Sequence, residues 1–224
     1  MALLAACGCE GSKHASQPAS PRAELEPEAT SRRSWTFDDL QPGSIPAGVR
    51  LAETGAVGTP ATWAVVEDPS APSRPHAFGV VASANDKKTY NLALLEGVRD
   101  GDVDLQVSLR AVSGQLNQGG GLVWRAKGAD DYYLARWDPL EDNVYIYVVQ
   151  GGARTALAKA DLELDHDAWH VLRVIARSSQ IELFIDDTPV LSVEDSTFPL
   201  PGMVGLWTKS DAATRFDDLS VAEP

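Results

Sequence analysis

The sequence predicts an all-β fold, a two-sheet antiparallel sandwich, and three observations lead to this prediction. Apolar and polar residues alternate in many short segments; in residues 104–110, for example, Leu105, Val107 and Leu109 take every second position. A period of two is typical of a strand that buries one face. Turn residues (Gly, Asp and Pro) separate the segments, and no segment shows the period of an amphipathic helix. Many short strands with close turns favour a sandwich.

Nine segments carry the strand signal. In chain order they are 104–110, 121–125, 132–137, 143–148, 170–176, 181–185, 189–193, 203–207 and 215–221. The third and fourth are rich in aromatic and β-branched residues, and Asp138-Pro139 breaks the chain between them. The acidic run 161–167 predicts an exposed turn. We therefore expect one domain, over residues 34–222.

The N-terminus carries a motif that is typical of export and lipid attachment. Leu4-Ala5-Ala6-Cys7 matches the bacterial lipobox, in which the cysteine is lipid-modified after cleavage. Residues 1–6 are then the remnant of a lipoprotein signal peptide, and residues 7–33, poor in large apolar residues, form a disordered tether. A signal peptide needs a basic start and ~7–15 apolar residues, which six residues do not supply, so we expect translation to begin upstream.

The lipobox predicts an exported protein that is anchored by lipid to a bacterial membrane, in the periplasm or at the cell surface. We expect the protein to contact the membrane only through that lipid. The alternative is a chance match in an alanine-rich leader. The net charge of −13 excludes nucleic acid as a partner, because phosphate binding needs clustered Lys and Arg. Both cysteines, Cys7 and Cys9, precede the domain, which therefore has no disulfide and no thiolate metal site.

Six motifs together resemble a known group of proteins. They are Gly-Gly-Leu-Val-Trp-Arg at 120–125, Asp-Tyr-Tyr-Leu-Ala-Arg at 131–136, Leu-Glu-Asp-Asn at 140–143, Trp-His-Val-Leu-Arg-Val at 169–174, Gly-Met-Val-Gly-Leu-Trp-Thr-Lys-Ser-Asp at 202–211 and Phe-Asp-Asp-Leu at 216–219. Their order resembles exported bacterial proteins with a concanavalin A-like, laminin G-like jelly roll. These are grouped with the 3-keto-disaccharide hydrolase domain family, itself loosely similar to glycoside hydrolase family 16.

The resemblance implies a carbohydrate-directed domain that either binds a saccharide or hydrolyses a 3-keto-disaccharide or glycoside. It does not decide whether the chain is an enzyme. The family's Asn-Ser-Gly phrase appears here as Gln-Gly-Gly-Gly at 118–121, and the Glu-x-Asp-x-x-Glu strand of family 16 enzymes is missing. A non-enzymatic laminin G-like module, which binds protein or scaffolds the envelope, is the alternative because this fold hosts many functions.

The predicted sugar site lies on one sheet face. Arg125 and Arg136 fall on adjacent antiparallel strands, so we expect their heads to converge, and Asn143 and Tyr145 alternate onto one face of the next strand. Aromatic rings stack on sugars, and amides and charged groups bond to hydroxyls. The predicted substrate-binding residues are Arg125, Tyr133, Arg136, Glu141, Asn143, Tyr145, Trp207, Lys209 and Asp211. Alternatively, both arginines pair with Glu141 and Asp142 as a structural network. No catalytic residue is assigned.

Phe-Asp-Asp-Leu occurs twice, at 37–40 and 216–219, near the two ends of the domain. We expect the terminal strands to be adjacent, with Phe37 and Phe216 in the core. The aspartate pairs would then repel each other. Calcium bound through Asp38 and Asp217 would relieve the repulsion, whereas the alternative leaves one aspartate of each pair in water. The sequence predicts no cofactor beyond this structural calcium.

Overall fold

The computed structural model describes residue 1 and residues 32–224. The lipobox, both cysteines and the predicted tether up to residue 31 lie outside the described residues. The described chain forms fifteen strands: β1 (Arg33–Trp35), β2 (Val49–Thr54), β3 (Thr62–Glu67), β4 (His76–Ala82), β5 (Tyr90–Asp100), β6 (Val103–Ser113), β7 (Gly120–Ala126), β8 (Tyr132–Asp138), β9 (Asn143–Gln150), β10 (Ala153–Asp161), β11 (His170–Arg177), β12 (Gln180–Ile185), β13 (Thr188–Glu194), β14 (Gly202–Lys209) and β15 (Ala213–Ala222). Within that part of the chain, no helix is long and apolar enough to cross a membrane.

The strands form two antiparallel sheets, which confirms the predicted all-β sandwich. One sheet has eight strands in the order β13-β12-β11-β6-β15-β4-β3, with β1 also paired to β15. The other has seven strands in the order β10-β9-β8-β7-β14-β5-β2. The strands that carry the candidate site, β7, β8, β9 and β14, lie side by side in the seven-stranded sheet.

A single apolar core fills the space between the sheets. Leu105, Val107 and Leu109 of β6 are fully buried in it, as their alternation predicts. Val144 and Ile146 of β9 enter the same core from the opposite sheet. The other residues of β9 that share one face, 143, 145 and 147, therefore point away from the core, onto the outer face of the seven-stranded sheet.

The two ends of the domain meet, as the repeated Phe-Asp-Asp-Leu predicts. Trp35 of β1 pairs with Leu219 of β15. Phe37 and Phe216 are both buried in the core, where they join one aromatic cluster through Phe78 and Trp63: the ring centroids of Phe37 and Phe78 are 5.5 Å apart, and those of Trp63 and Phe216 are 6.1 Å apart. Both predictions about the termini are confirmed.

The last residues of the predicted tether also lie against the sandwich. Arg32 donates to Asp104 at 2.8 Å, and Arg33, the first residue of β1, pairs with Asp100. The folded part of the chain therefore begins slightly before residue 34.

The seven-stranded sheet curves around its outer face, which we call the concave face. The hydroxyls of Thr54 on β2 and Tyr132 on β8 are 2.9 Å apart, although three strands separate β2 from β8. Arg154 on β10 lies 5.3 Å from the ring of Tyr90 on β5, with four strands between them. Five strand spacings of a flat sheet span roughly 24 Å, farther than an arginine and a tyrosine side chain reach together. The sheet therefore folds over this face.

Candidate functional site

One row of paired residues crosses the concave face. From edge to edge it contains Ala52, Leu92, Trp207, Gly121, Arg136, Tyr145 and Lys159, one from each strand. Gly121 has no side chain, so a gap in the row lies between Trp207 and Arg136. The polar members of the row lie toward β10 and the apolar members toward β2.

Arg136 is the buried centre of the polar half. Its side chain is 3% exposed and contacts two carboxylates: Nη2 lies 2.9 Å from Oε2 of Glu141, and Nη1 lies 3.1 Å from Oδ2 of Asp138. Asn117 also donates to Asp138, and Asn143 donates to the backbone oxygen of Glu141 at 3.0 Å. The arrangement is a network in which one cation holds two acids.

Burial and charge act in opposite directions on these groups. Burial raises the pKa of Asp138, and the neighbouring Arg136 cation only partly offsets it. The hydrogen bond from Arg136 lowers the pKa of Glu141, whose side chain is exposed to solvent. Burial opposes the charged form of Arg136, but the surrounding acidic groups outweigh it and raise its pKa. Glu141 is thus ionised at neutral pH, and Arg136 keeps its charge.

Aromatic rings line the same region. Tyr145 is partly exposed and stacks on Tyr147, with centroids 4.7 Å apart and planes 12° apart. The Arg136 guanidinium lies 4.9 Å from the Tyr145 ring, and that of Arg154 lies 4.2 Å from the Tyr147 ring. Tyr90 packs on Trp207 at 5.5 Å from the other side of the face. We call the set Arg136, Glu141, Asn143, Tyr145, Tyr147, Arg154 and Lys209 the basic-aromatic cluster.

Lys209 is partly exposed at the end of β14, where it pairs with Tyr90 of β5. Burial lowers the pKa of Lys209, and the nearby positive charges of Arg154 and Arg136 lower it further. Glu141 acts in the other direction, but it does not cancel these effects. Lys209 therefore belongs electrostatically to the basic-aromatic cluster.

The rest of the concave face is filled by its own side chains. A second apolar cluster occupies it, and its members are Leu92, Leu94, Val123, Ala126, Tyr132, Leu134, Tyr147, Val149, Met203 and Trp207. The loop between β7 and β8 covers one end, where Thr54 donates to the backbone oxygen of Ala129. At the basic-aromatic end, in contrast, the partly exposed Tyr145 ring lies beside charged groups.

A second cleft lies elsewhere on the molecule, with a volume of about 620 Å³. Its lining is Arg99, Asp100, Gly101, Asp102, Arg177, Pro199, Pro201, Glu223 and Pro224. Two of its acids are already paired, Asp100 with Arg33 and Asp102 with Arg125, and no aromatic ring lines it. The concave face therefore offers the better sugar platform.

Comparison with known proteins supports the fold and goes no further. No protein-family model matches this chain, and no curated protein matches it either. Solved structures do match.

A carbohydrate-binding module, CBM66, from Bacillus subtilis is 20% identical, and the match covers 77% of this chain and 94% of that one, with a TM-score of 0.59. The cellulose-induced protein Cip1 is 14% identical, and the match covers 86% of this chain and 97% of that one, with a TM-score of 0.61. The carbohydrate recognition domain of Emp47p is 11% identical, and the match covers 89% of this chain and 99% of that one, with a TM-score of 0.55. At such identities the likeness is one of fold, and it confirms the concanavalin A-like sandwich.

Five of the predicted site residues come together on the concave face: Arg136, Glu141, Asn143, Tyr145 and Lys209. Trp207 lies on the same face and in the same row, but it is fully buried beneath Tyr90 and has no surface to offer a ligand. The alternative prediction of a structural network also holds in part, because Arg136 does pair with Glu141. Asp142, in contrast, contacts His166 at 3.2 Å.

The expected convergence of Arg125 and Arg136 is wrong. Arg136 pairs with Gly121, at the opposite end of β7 from Arg125. The backbone of Arg125 takes a positive φ of 48°, and its guanidinium donates to the backbone oxygens of Gly101, Phe198 and Ser178. Arg125 thus ties together three loops at the end of the sandwich.

Tyr133 and Asp211 also lie away from the concave face. Tyr133 enters the core between the sheets, where its ring stacks on Trp124 at 5.4 Å and its hydroxyl donates to Asp195. Asp211 accepts from three consecutive backbone amides, residues 115–117. Burial would raise the pKa of Asp211, but these amides outweigh it and lower that pKa. Both residues have structural roles in this fold.

The two aspartates of the calcium prediction have protein partners. The carboxylate of Asp217 is fully buried and accepts from the amide and hydroxyl of Ser73, each at 2.8 Å. Asp38 accepts from the amide of His76 at 3.2 Å. Across residues 32–224, no group of three or more His, Cys, Asp or Glu side chains is placed to hold a metal ion. Structural calcium stays a prediction.

The sequence analysis missed Arg154, which belongs to the cluster, and Tyr90, whose ring contacts Arg154. Both belong to strands that it did not predict, β10 and β5. Alanine dominates the alternating positions of β10, so the strand lacks a hydrophobic period. A signal was present in Tyr145 and Tyr147, two rings on one face of β9, because a cation on the neighbouring strand is a natural partner of an aromatic ring.

Proposed function

We propose that this chain is a carbohydrate-binding domain, and that the basic-aromatic cluster binds the saccharide. One observation carries the proposal: the partly exposed Tyr145 ring and the exposed Glu141 carboxylate both contact the buried Arg136, and Asn143 also donates to Glu141. Sugar rings stack on aromatic faces, and their hydroxyls exchange hydrogen bonds with carboxylates, amides and guanidinium groups. The network already fixes these side chains, so a ligand need not order them.

The fold neighbours support this proposal. CBM66 is by name a carbohydrate-binding module, and the Emp47p domain is by name a carbohydrate recognition domain. Because the same superfold hosts many functions, the support rests on the chemistry of the cluster as well as on the likeness.

Hydrolysis of a 3-keto-disaccharide or glycoside is the activity that the family resemblance implies. It needs an acid with a raised pKa that can reach the leaving-group oxygen. The pKa of Asp138 is raised, but its side chain is fully buried against Arg136 and Asn117. Glu141 is exposed, but the bond from Arg136 lowers its pKa, so it is a poor proton donor. The geometry therefore favours binding over hydrolysis.

A glycan array tests the proposal, run with the wild type, Tyr145→Ala and a matched control, Phe184→Ala. Phe184 is also partly exposed but lies on the eight-stranded sheet. We expect the wild type and the Phe184 variant to retain the same saccharides, and the Tyr145 variant to lose at least about tenfold in affinity. Parallel assays on 3-keto-glucosides should show no turnover. If the wild type binds no saccharide on the array, carbohydrate binding is refuted.

A non-enzymatic scaffold is the second candidate, and one observation favours it. Most of the concave face is filled by side chains of the protein itself, from Leu92 to Trp207 in the second apolar cluster. A scaffold needs no open groove, whereas a binding domain needs only its basic-aromatic end to be open. An array without hits, together with a stable fold, would move the conclusion to the scaffold.

We also propose that the protein is exported and lipid-anchored through Cys7. The support is the Leu4-Ala5-Ala6-Cys7 sequence, followed by a polar segment rich in Ser, Pro and Glu. Mass spectrometry of membrane and soluble fractions tests it, with Cys7→Ser as the control variant. We expect a diacylated N-terminal cysteine in the membrane fraction and loss of anchoring in the variant. An unmodified N-terminus in the soluble fraction would contradict the proposal.

A further inference from the structure

The basic-aromatic cluster reverses the charge of the molecule locally. The whole chain carries 32 acidic and 19 basic residues. Around the cluster, in contrast, four cations (Arg136, Arg154, Lys159 and Lys209) face three carboxylates. Arg136 holds Asp138 and Glu141, and Lys159 pairs with Asp161. Arg154 and Lys209 are therefore left with a positive charge that the network does not neutralise.

These two cations lack an anionic partner. Among residues 32–224, no carboxylate lies within ion-pairing distance of Arg154 or Lys209. The Nη1 atom of Arg154 is buried and has no hydrogen-bond partner in the described part of the chain. Arg154 is held in place between the rings of Tyr147 and Tyr90, at 4.2 and 5.3 Å. A fixed, partly desolvated cation without a counter-ion favours the binding of an anion.

The positions of Arg154 and Lys209 on the concave face indicate what kind of anion fits. Arg154 contacts the ring of Tyr147, which stacks on Tyr145, the partly exposed ring on which a sugar would stack. Lys209 pairs with Tyr90, the other ring that Arg154 contacts. A ligand that combines a flat pyranose face with a carboxylate satisfies both features at once, because a carboxylate accepts charge-assisted hydrogen bonds from Lys and Arg. A neutral sugar would leave the two charges uncompensated.

We infer that the saccharide recognised here is acidic: a glycan in which a sugar carboxylate is bound by Lys209 and Arg154. The inference rests on the proposed function and adds the ligand class to it. It assigns Lys209 and Arg154 as the residues that select charge, whereas Tyr145 and Glu141 contact the uncharged part of the sugar.

Calorimetric titration of the full chain tests the inference. The probes are oligosaccharides containing galacturonate, glucuronate or sialic acid, each beside its carboxyl-reduced counterpart, which keeps the shape and removes the charge. We expect at least one acid form to bind about tenfold or more tightly than its reduced form. That preference should shrink at high NaCl, because partly exposed charges are screened.

Three variants locate the effect. Lys209→Gln should abolish most of the preference for the acid form, and Lys209→Arg should keep it, because the charge is retained. Arg177→Gln removes a cation that lies on the eight-stranded sheet, away from the cluster, so it should leave the preference for the acid form unchanged. Thermal melts verify that each variant is folded, and Arg154→Gln provides a second test of the same site.

The outcomes separate the two proposals. Reduced forms that bind as tightly as acid forms, or a Lys209→Gln protein that discriminates like the wild type, would overturn the acidic ligand and leave carbohydrate binding in place. Binding of neutral glycans alone would do the same. Failure of every glycan, acidic or neutral, would refute the proposed function itself.

Discussion

Arg136 shows how a single side chain organises the candidate site. It is buried, it bonds to Glu141, and it neutralises the fully buried Asp138. It also lies over the Tyr145 ring, so the same side chain that supports the fold positions the aromatic platform. A residue with these contacts is a positioning residue for binding and a structural residue for stability.

Arg136→Gln should destabilise the protein by about 3 kcal/mol at pH 7, because Asp138 would stay buried without its cation. Urea unfolding measures the change. The loss should shrink as the pH falls, because the unpaired Asp138 takes up a proton and no longer carries a buried charge. Adding Asp138→Asn to the variant should recover part of the stability. A loss below about 0.5 kcal/mol, the size expected for the exposed control Arg177→Gln, would contradict the buried-pair account.

Asp217 makes the stability of the protein depend on pH. Burial raises its pKa to about 6, although Ser73 and the Asp218 amide donate to its carboxylate. In the unfolded chain the value is about 4, so between pH 4 and 6 the folded state binds more protons than the unfolded state. Asp217 therefore favours folding below pH 4 and loses that contribution as the pH rises to 6.

Two measurements check this behaviour. A carbon-13 NMR titration should place the midpoint of the Asp217 carboxyl near 6. The free energy of unfolding of the wild type, relative to Asp217→Asn, should fall between pH 4 and 6 and stay level above. A midpoint near 4, or a difference that does not depend on pH, would show that burial does not control this group.

At the scale of elements, the close approach of β7 to β8 shapes the concave face. Gly121 of β7 lies between Trp207 of β14 and Arg136 of β8. A Cβ atom at Gly121 would lie 2.1 Å from the backbone oxygen of Ala135 and 2.9 Å from the Cα of Arg136. Neither backbone atom can move without shifting the strand, so only glycine fits.

Gly121→Ala should therefore destabilise the protein by about 2 kcal/mol, as overpacking against backbone does. Gly97→Ala is the matched control: Gly97 lies on β5 in the same sheet, and a Cβ there meets nothing within 4 Å. This control should be neutral or stabilising by about 0.5 kcal/mol. Equal effects of the two substitutions in urea unfolding would contradict the close-approach argument.

The sequence predicts strands by alternation where one face is exposed, and by aromatic or β-branched residues where both faces are buried, as in β8. Leu105, Val107 and Leu109 reveal β6 through their alternation. Strand β5 was missed because both of its faces are covered, by the core on one side and the second apolar cluster on the other, so Leu92, Ala93, Leu94 and Leu95 form an unbroken apolar run. Periodicity alone does not separate such a run from a buried helix.

The candidate site was predictable on β8, β9 and β14, whose strand signal the sequence carries, and not on β10, which lacks a hydrophobic period. Residues 136, 141, 143 and 145 follow from the alternation of β8 and β9. Arg154 reaches the site only because the sheet curves, and Arg125 leaves it because of a positive φ that lies within a strand. Neither curvature nor local backbone reversal is encoded in a two-residue period.

At the scale of the whole molecule, the two Phe-Asp-Asp-Leu segments join the ends of the domain. Phe37 and Phe216 enter one aromatic cluster, and Asp38 lies close enough to Asp218 to add to the effect of burial in raising its pKa. The predicted repulsion between the acid pairs is therefore present. The buried Asp217 is held by Ser73 rather than exposed to a shared ion site.

Thermal melts with EDTA and with added calcium test the closure. Because both oxygens of Asp217 already accept hydrogen bonds, we expect the Tm to change by less than about 1 °C in either condition. A Tm that falls on chelation and returns with calcium, in the wild type but not in Asp38→Asn, would establish the structural calcium site instead.

The central claim is that the concave face of the seven-stranded sheet binds saccharide at its basic-aromatic end. The most direct test is a nitrogen-15 NMR titration with the glycan that the array retains most strongly. The account predicts amide and side-chain shifts that concentrate on Arg136, Asn143, Tyr145, Arg154 and Lys209. Shifts that concentrate on the eight-stranded sheet, or around the cleft at Arg99 and Arg177, would contradict it.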